Sequence, residues 1–350
     1  MSVKITTVAK ALPPHTRETK DILPLLDGWL AGQAPRFQRK VKKIFANAGV
    51  DQRYSIMSPE EIFSPTSFEE KNNFYMREVK RLGEEVLIKA LDKAQWQSTD
   101  IDYLITVSCT GFMIPSLDAY LINRLEMKQE VVRLPVTEMG CSAGISGIIY
   151  AKNFLRAYPG KRAALIAVES PMATFQLNDY SMVNVVSAAI FGDGVACVLL
   201  SSHEEDKGPE VIGEEMYHFY DATHMMGFNL TNSGLQMVLD KEVTDAIAAH
   251  FPDIIHPFLK KYHLTIEDIS HFIFHPGGRK IVEVVEELFG KLGKSIEDTK
   301  EVLRLYGNMS SATVLYVLER FMDKQPEKDT YGLMLSFGPG FSAQRVLLQW

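Results

Sequence analysis

Asp100-Ile-Asp-Tyr-Leu-Ile-Thr-Val107 and Asp268-Ile-Ser-His-Phe-Ile-Phe-His275 share one pattern at a spacing of 168 residues, and the chain keeps that phase to within one residue elsewhere. Gly140-Cys-Ser-Ala-Gly-Ile-Ser-Gly-Ile-Ile-Tyr150 lies over Gly307-Asn-Met-Ser-Ser-Ala-Thr-Val-Leu-Tyr-Val317, and Leu165-Ile-Ala-Val168 over Leu333-Met-Leu-Ser336. Each apolar run has strand length and each small-residue stretch opens a helix-length segment, so the pattern is α/β. Internal repetition means that positions matching in sequence match in space. The chain reads as two α/β halves of one topology related by a pseudo-twofold axis, 1–205 and 206–350, joined near Ser201 to Gly213 by the solvated run His203-Glu-Glu-Asp-Lys-Gly-Pro209. The duplication puts Cys141 and Asn308 at equivalent points, each following a glycine and opening a helix, so both face one central pocket.

The 350 residues are 46% hydrophobic and 23% charged, ordinary for a globular enzyme, and no apolar run approaches a membrane span. A net charge of -7 argues against nucleic-acid binding and requires that any anionic partner meet a local basic cluster. The first residues read as a strand, without the apolar core of a secretory signal, and the expected location is cytoplasmic. Three cysteines without CxxC or His-rich spacing give neither a disulfide framework nor a metal site, so each is core filler or a reactive thiol.

Cys141 is the candidate nucleophile. A helix N-terminus favours thiolate, and Gly140 and Gly144 let substrate approach. Cys197 lies inside the apolar strand Val195 to Leu200 and reads as core filler; Cys109, at a strand end, reads as filler or cavity wall. His275 ends the apolar strand Phe272-Ile-Phe274 before Pro-Gly-Gly, a rigid support beside a turn with room for a ligand. A thiolate–imidazolium pair would activate Cys141, and the protonated ring could donate to a thioester oxygen. Asn308 is either a helix cap or, facing Cys141, the second donor of an oxyanion hole.

These residues, in this order, resemble the type III polyketide synthases, the chalcone synthase superfamily. The motifs are Gly140-Cys141-Ser-Ala-Gly, Phe191-Gly-Asp-Gly, His275-Pro-Gly-Gly, Tyr306-Gly-Asn308-Met-Ser-Ser-Ala and Gly338-Pro-Gly, and they run almost the whole length. The resemblance implies the thiolase fold, with five layers in αβαβα order, and a homodimeric acyltransferase without metal or organic cofactor. Cys141 would take a starter from acyl-CoA; malonyl-CoA would lose CO2 to an enolate stabilised by His275 and Asn308; repeated extension and cyclisation would give a pyrone, resorcinol or phloroglucinol-type product. Phe191 would gate the decarboxylation pocket, its apolar ring suited to a carboxylate about to leave. The second aromatic gate position falls on Met237, whose flexibility suits a bulkier or more linear starter. Thr110, Thr174 and Ser310 match cavity-wall positions, and Ile114 matches the position that reaches into the partner subunit's cavity. Phe228 matches a cavity position that is glycine in the plant enzymes, with Gly227 adjacent. Arg36, Arg39 and Lys43 share a helix face suited to CoA phosphates, and Lys280 is a further phosphate contact or a plain surface lysine. Two other readings stand: a 3-ketoacyl synthase III-like enzyme taking malonate from acyl carrier protein, and a non-catalytic acyl-binding scaffold.

Overall fold

The apolar runs of the repeat are strands in the computed structural model, which describes residues 2–291 and 293–350. In chain order the strands are β1 (Lys4–Ala11), β2 (His15–Glu18), β3 (Gln52–Ser55), β4 (Tyr103–Val107), β5 (Val132–Val136), β6 (Arg162–Glu169), β7 (Gly194–Ser201), β8 (Glu210–His218), β9 (Met226–Thr231), β10 (Gly234–Leu239), β11 (Ile269–Phe274), β12 (Tyr331–Gly338) and β13 (Ser342–Gln349). Nine form one sheet in the order β11-β12-β13-β8-β1-β7-β6-β4-β5, while β2 with β3 and β9 with β10 make separate ribbons. Outward from the seam, β1-β7-β6-β4 repeats as β8-β13-β12-β11, with Lys4 opposite Glu210 at the join. The first half adds a further strand, β5, on its outer edge.

The core strands β4, β6, β7, β12 and β13 are buried on both faces almost throughout, hence their continuous apolar runs. Between the half-sheets lie the helices Ala143–Ala157 and Thr313–Lys324; the first touches β4 and β6 on one side and β8, β12 and β13 on the other. A helix buried all round must be apolar or small all round. Ile145, Ile148, Ala151 and Leu155 are fully buried, and Gly147 packs where a Cβ would sit 2.4 Å from Leu165. The 27-residue helix Phe68–Ala94 covers β1, β6 and β7 from outside and begins at a capping box: the Ser67 hydroxyl accepts from Glu70 N–H at 3.1 Å, and the Glu70 carboxylate from Ser67 N–H at 2.8 Å. The helices Val243–Lys260 and Arg279–Gly290 cover the second half, with Phe251, Ile255 and Phe258 in one cluster with Leu333, Leu335 and Leu347. The result is the five-layer αβαβα order, with one continuous sheet joining the halves.

Candidate active site

Cys141 sits in a short 3-10 turn, Gly140–Ser142, directly ahead of the helix Ala143–Ala157. Asn308 stands just ahead of the matching turn, Ser310–Ala312, which leads into Thr313–Lys324. Gly140 has φ +50°, and a Cβ there would lie 2.5 Å from Pro339, so the turn that carries Cys141 and the Gly338-Pro-Gly segment meet through a glycine. His275 follows β11 directly and is 3% exposed.

One narrow chamber of about 60 Å³ brings together Cys141, His275, Asn308, Phe191, Met237, Thr110 and Ser310. Cys109 also lines it, whereas Cys197 is buried within β7. Thr174 does not line this chamber: it faces a smaller pocket on the far side of Thr110, its hydroxyl donating to the Pro171 carbonyl at 2.7 Å. Ile114 lies outside it too, 96% exposed. The ribbon β9–β10 roofs the chamber with Met226, Phe228, Met237 and Leu239. Phe228 and Met237 stand directly opposite each other in the ladder and so share a face. Phe228, which the sequence placed at a cavity position, thus lines the chamber across from Met237.

The Asn308 side chain is fixed at both ends. Its Nδ2 donates to the Gly277 carbonyl at 3.0 Å, and its Oδ1 accepts from Ser310 N–H at 2.8 Å and the Thr313 hydroxyl at 3.3 Å. One Nδ2 hydrogen thus remains for the chamber. Neither ring nitrogen of His275 has a protein hydrogen-bond partner among the described residues, and burial pushes its pKa down to about 3. Burial likewise pushes the Cys141 thiol up to about 12; the Ser310 hydroxyl and the Asn308 amide pull it down and Glu169 pushes it up. The thiol lowered by a helix N-terminus, expected from the sequence, is thus overridden for Cys141 alone by desolvation. Each shift opposes a single charge. Proton transfer from Sγ to the imidazole would make both charges together, so that an attraction between them would oppose the two penalties.

Two residues at the site escaped the sequence reading. Glu169, at the end of β6, is 1% exposed and accepts from Cys109 N–H at 3.1 Å, Thr110 Oγ1 at 2.8 Å and Ser311 Oγ at 2.6 Å, joining the strand ends of one half to the nucleophile-like turn of the other. Burial raises its pKa. Asp193, inside the Phe-Gly-Asp-Gly motif, is fully buried and accepts from Ile56 N–H and Met172 N–H, both at 2.8 Å. A carboxylate closing a polar apolar-flanked turn is a signal the motif carried, but its partners are distant in sequence.

A groove of about 850 Å³ adjoins the chamber, the two sharing Ile190, Leu239, Gly277 and Ile281. Lys43 and Lys280 line it, together with Lys40, Lys241 and Arg279, which the sequence reading did not select. Arg36 and Arg39 do not line it. On the helix Pro35–Ala46, Val41 and Phe45 are buried and the groove meets the C-terminal turns, at Lys40 and Lys43, and Asn47 just beyond; Arg36 is on that same face but a turn nearer the helix start, and Arg39 stands to one side. Among the described residues no group of three or more His, Cys, Asp or Glu side chains could hold a metal ion, and no helix is long and apolar enough to cross a membrane.

A Cys, His and Asn set at the seam of two thiolase-like halves defines a condensing-enzyme class. Known proteins narrow it further. Residues 26–211 match the family described as FAE1/Type III polyketide synthase-like protein, and residues 216–350 match the chalcone and stilbene synthases, C-terminal domain. A 1,3,6,8-tetrahydroxynaphthalene synthase of Streptomyces peucetius is 33% identical, over 99% of this chain and 93% of its own. A phloroglucinol synthase of Pseudomonas fluorescens is 29% identical, over 88% of each chain. The crystal structure of the tetrahydroxynaphthalene synthase of Streptomyces coelicolor superposes with a TM-score of 0.93 at 28% identity, covering 99% of both chains. The chain belongs to the type III polyketide synthase family, enzymes that catalyse decarboxylative condensation.

Proposed function

We propose that Cys141 carries the growing chain as a thioester, that acyl-CoA and malonyl-CoA are the substrates, and that the product is a small polyhydroxylated aromatic. The observation that carries this reading is the single chamber holding Cys141, His275 and Asn308 beside a groove lined by lysines and an arginine. The Cys141 sulfur attacks the acyl-CoA carbonyl, its proton passing to His275 and then to the departing CoA thiol. Malonyl-CoA next places its thioester oxygen against His275 and the free Asn308 N–H. The bond to its carboxylate breaks, CO2 leaves, and the electron pair becomes an enolate held by those donors. Phe191 gives the carboxylate an apolar neighbour, so charge is lost where it is least solvated. The enolate carbon attacks the carbonyl of the Cys141 thioester, the bond to Sγ breaks and Cys141 leaves as thiolate, and the chain, two carbons longer, is now a CoA thioester that returns to Cys141 by thioester exchange before the next extension.

The names of the synthases it resembles, of tetrahydroxynaphthalene and of phloroglucinol, support an aromatic product. Lys40, Lys43, Lys241 and Lys280 support free CoA over a carrier protein as the source of malonate. Exposed Ile114 and the outer edge of β5, with Val132 exposed, support a homodimer through that face. We assign no cofactor, take the halves as 1–205 and 206–350, and place the enzyme in the cytoplasm. The test is incubation of purified protein with malonyl-CoA, alone and with a panel of acyl-CoAs, against malonyl carrier protein. Release of CO2 and an aromatic product from malonyl-CoA is expected; turnover only with the carrier protein, or none with a folded enzyme, would contradict the reading.

A further inference from the structure

We propose that Arg53, on β3, is a positioning residue for decarboxylation: it holds the segment carrying the Phe191 ring in register with the segment carrying Asn308. Arg53 is 3% exposed. Its Nη1 donates to the Ala188 carbonyl at 2.8 Å and the Phe191 carbonyl at 3.5 Å, and its Nη2 to the Thr19 hydroxyl at 2.9 Å. Among the described residues no carboxylate lies within 4.0 Å of it. A buried cation ordinarily has an acid beside it. Here the negative end is the last turn of the helix Met182–Ile190, whose carbonyls lack intrahelical donors and carry partial negative charge.

That turn delivers Phe191 to the chamber. Immediately beyond it, Asn308 N–H donates to the Ile190 carbonyl at 2.8 Å and Gly192 N–H to the Asn308 carbonyl at 3.1 Å, a parallel bridge between Phe191 and Asn308. The contact has no slack: a Cβ on Gly192 would lie 2.3 Å from the Tyr306 carbonyl oxygen and 3.3 Å from Arg53 Cβ. The residues after Arg53 complete the hold. Tyr54 accepts from Asp193 N–H at 2.8 Å, and Ile56 N–H donates to the Asp193 carboxylate. The Asn308 side chain has its own anchors in Gly277, Ser310 and Thr313, so without Arg53 it is the Phe191 side of the bridge that slips.

The chemistry separates the two sides. Thioester exchange onto Cys141 needs the His275 and Asn308 donors but not the Phe191 ring, whereas loss of CO2 needs the ring at a fixed distance from the enolate donors. The proposal rests on the function proposed above, and two partial reactions test it: acyl transfer from acyl-CoA to Cys141, and CO2 release from malonyl-CoA, each per titrated active thiol. In Arg53→Met, acyl transfer stays within about twofold of wild type while the kcat for CO2 release falls about tenfold or more, with a smaller change in KM. Arg53→Lys recovers part of the loss, since an ammonium can serve one of the two carbonyls, and it supplies the same comparison if the methionine variant does not fold. Equal loss of both partial reactions in the variants would overturn the proposal and leave Arg53 structural. Wild-type protein showing neither partial reaction would overturn the functional reading, and this proposal with it.

Discussion

Cys141 and His275 are each neutral when considered alone, and the proposed chemistry needs them charged as a pair. Burial acts against either charge, with the thiol pushed to about 12 and the imidazole to about 3. Replacing His275 with alanine should therefore slow iodoacetamide labelling of Cys141 at pH 7 by about tenfold or more, since one pKa unit of lost pairing is tenfold in thiolate. An unchanged rate would show that the imidazole does not share the proton. Asp193 gives a pH test of stability. Its carboxyl is raised to about 7 by burial, above its unfolded value of 3.8, so its stabilising contribution is present below pH 3.8 and lost as pH rises through 7. The stability difference between wild type and Asp193→Asn, followed by urea unfolding, should shift against wild type across that window; a pH-independent difference would contradict the assignment. Cys141, His275 and Asn308 were legible because each stands in a glycine-flanked motif at a strand or helix end. Glu169 was not: it closes an apolar strand, and its three donors come from Cys109, Thr110 and Ser311, whose proximity only the folded chain creates.

At the scale of elements, the middle layer depends on small residues where two helices cross. A Cβ at Gly144 would lie 2.3 Å from the Ser311 carbonyl oxygen, in the turn that follows Asn308. Gly144→Ala is expected to lower stability by about 1–3 kcal/mol, as overpacking does, and to reduce acylation of Cys141 in the folded fraction. Chemical denaturation with an active-thiol titration measures both, and a variant as stable and active as wild type would contradict the crossing. The repeat predicted this pairing, because Gly140 and Gly307 occupy one phase. It could not predict the roof. The ribbon β9–β10 belongs to the second half alone, so the space across from Met237 became visible only when the ladder set Phe228 opposite it. The basic helix was legible as a charged segment, but which of its charges reach the groove depended on which end of the helix the groove adjoins.

For the whole molecule, the pseudo-twofold order of the strands was legible from three segments in one phase, whereas the continuity of the sheet across β1 and β8 was not, since a seam of one paired position leaves no sequence pattern. The outer edge at β5, with Ile114 and Val132 exposed, has no paired strand among the described residues. Ile114→Asp should shift sedimentation of the proposed homodimer toward monomer, since a charge placed in an apolar contact is unfavourable; an unaltered dimer would remove Ile114 from the interface. The chamber lies where the halves meet, so one thiol out of three should hold the chain. Peptide mass spectrometry of enzyme quenched during turnover with acyl-CoA and malonyl-CoA measures this directly. Acyl groups in two-carbon increments on the Cys141 peptide, and none on the Cys109 or Cys197 peptides, are expected; turnover with Cys141 unmodified, or with the chain on another residue, would contradict the account.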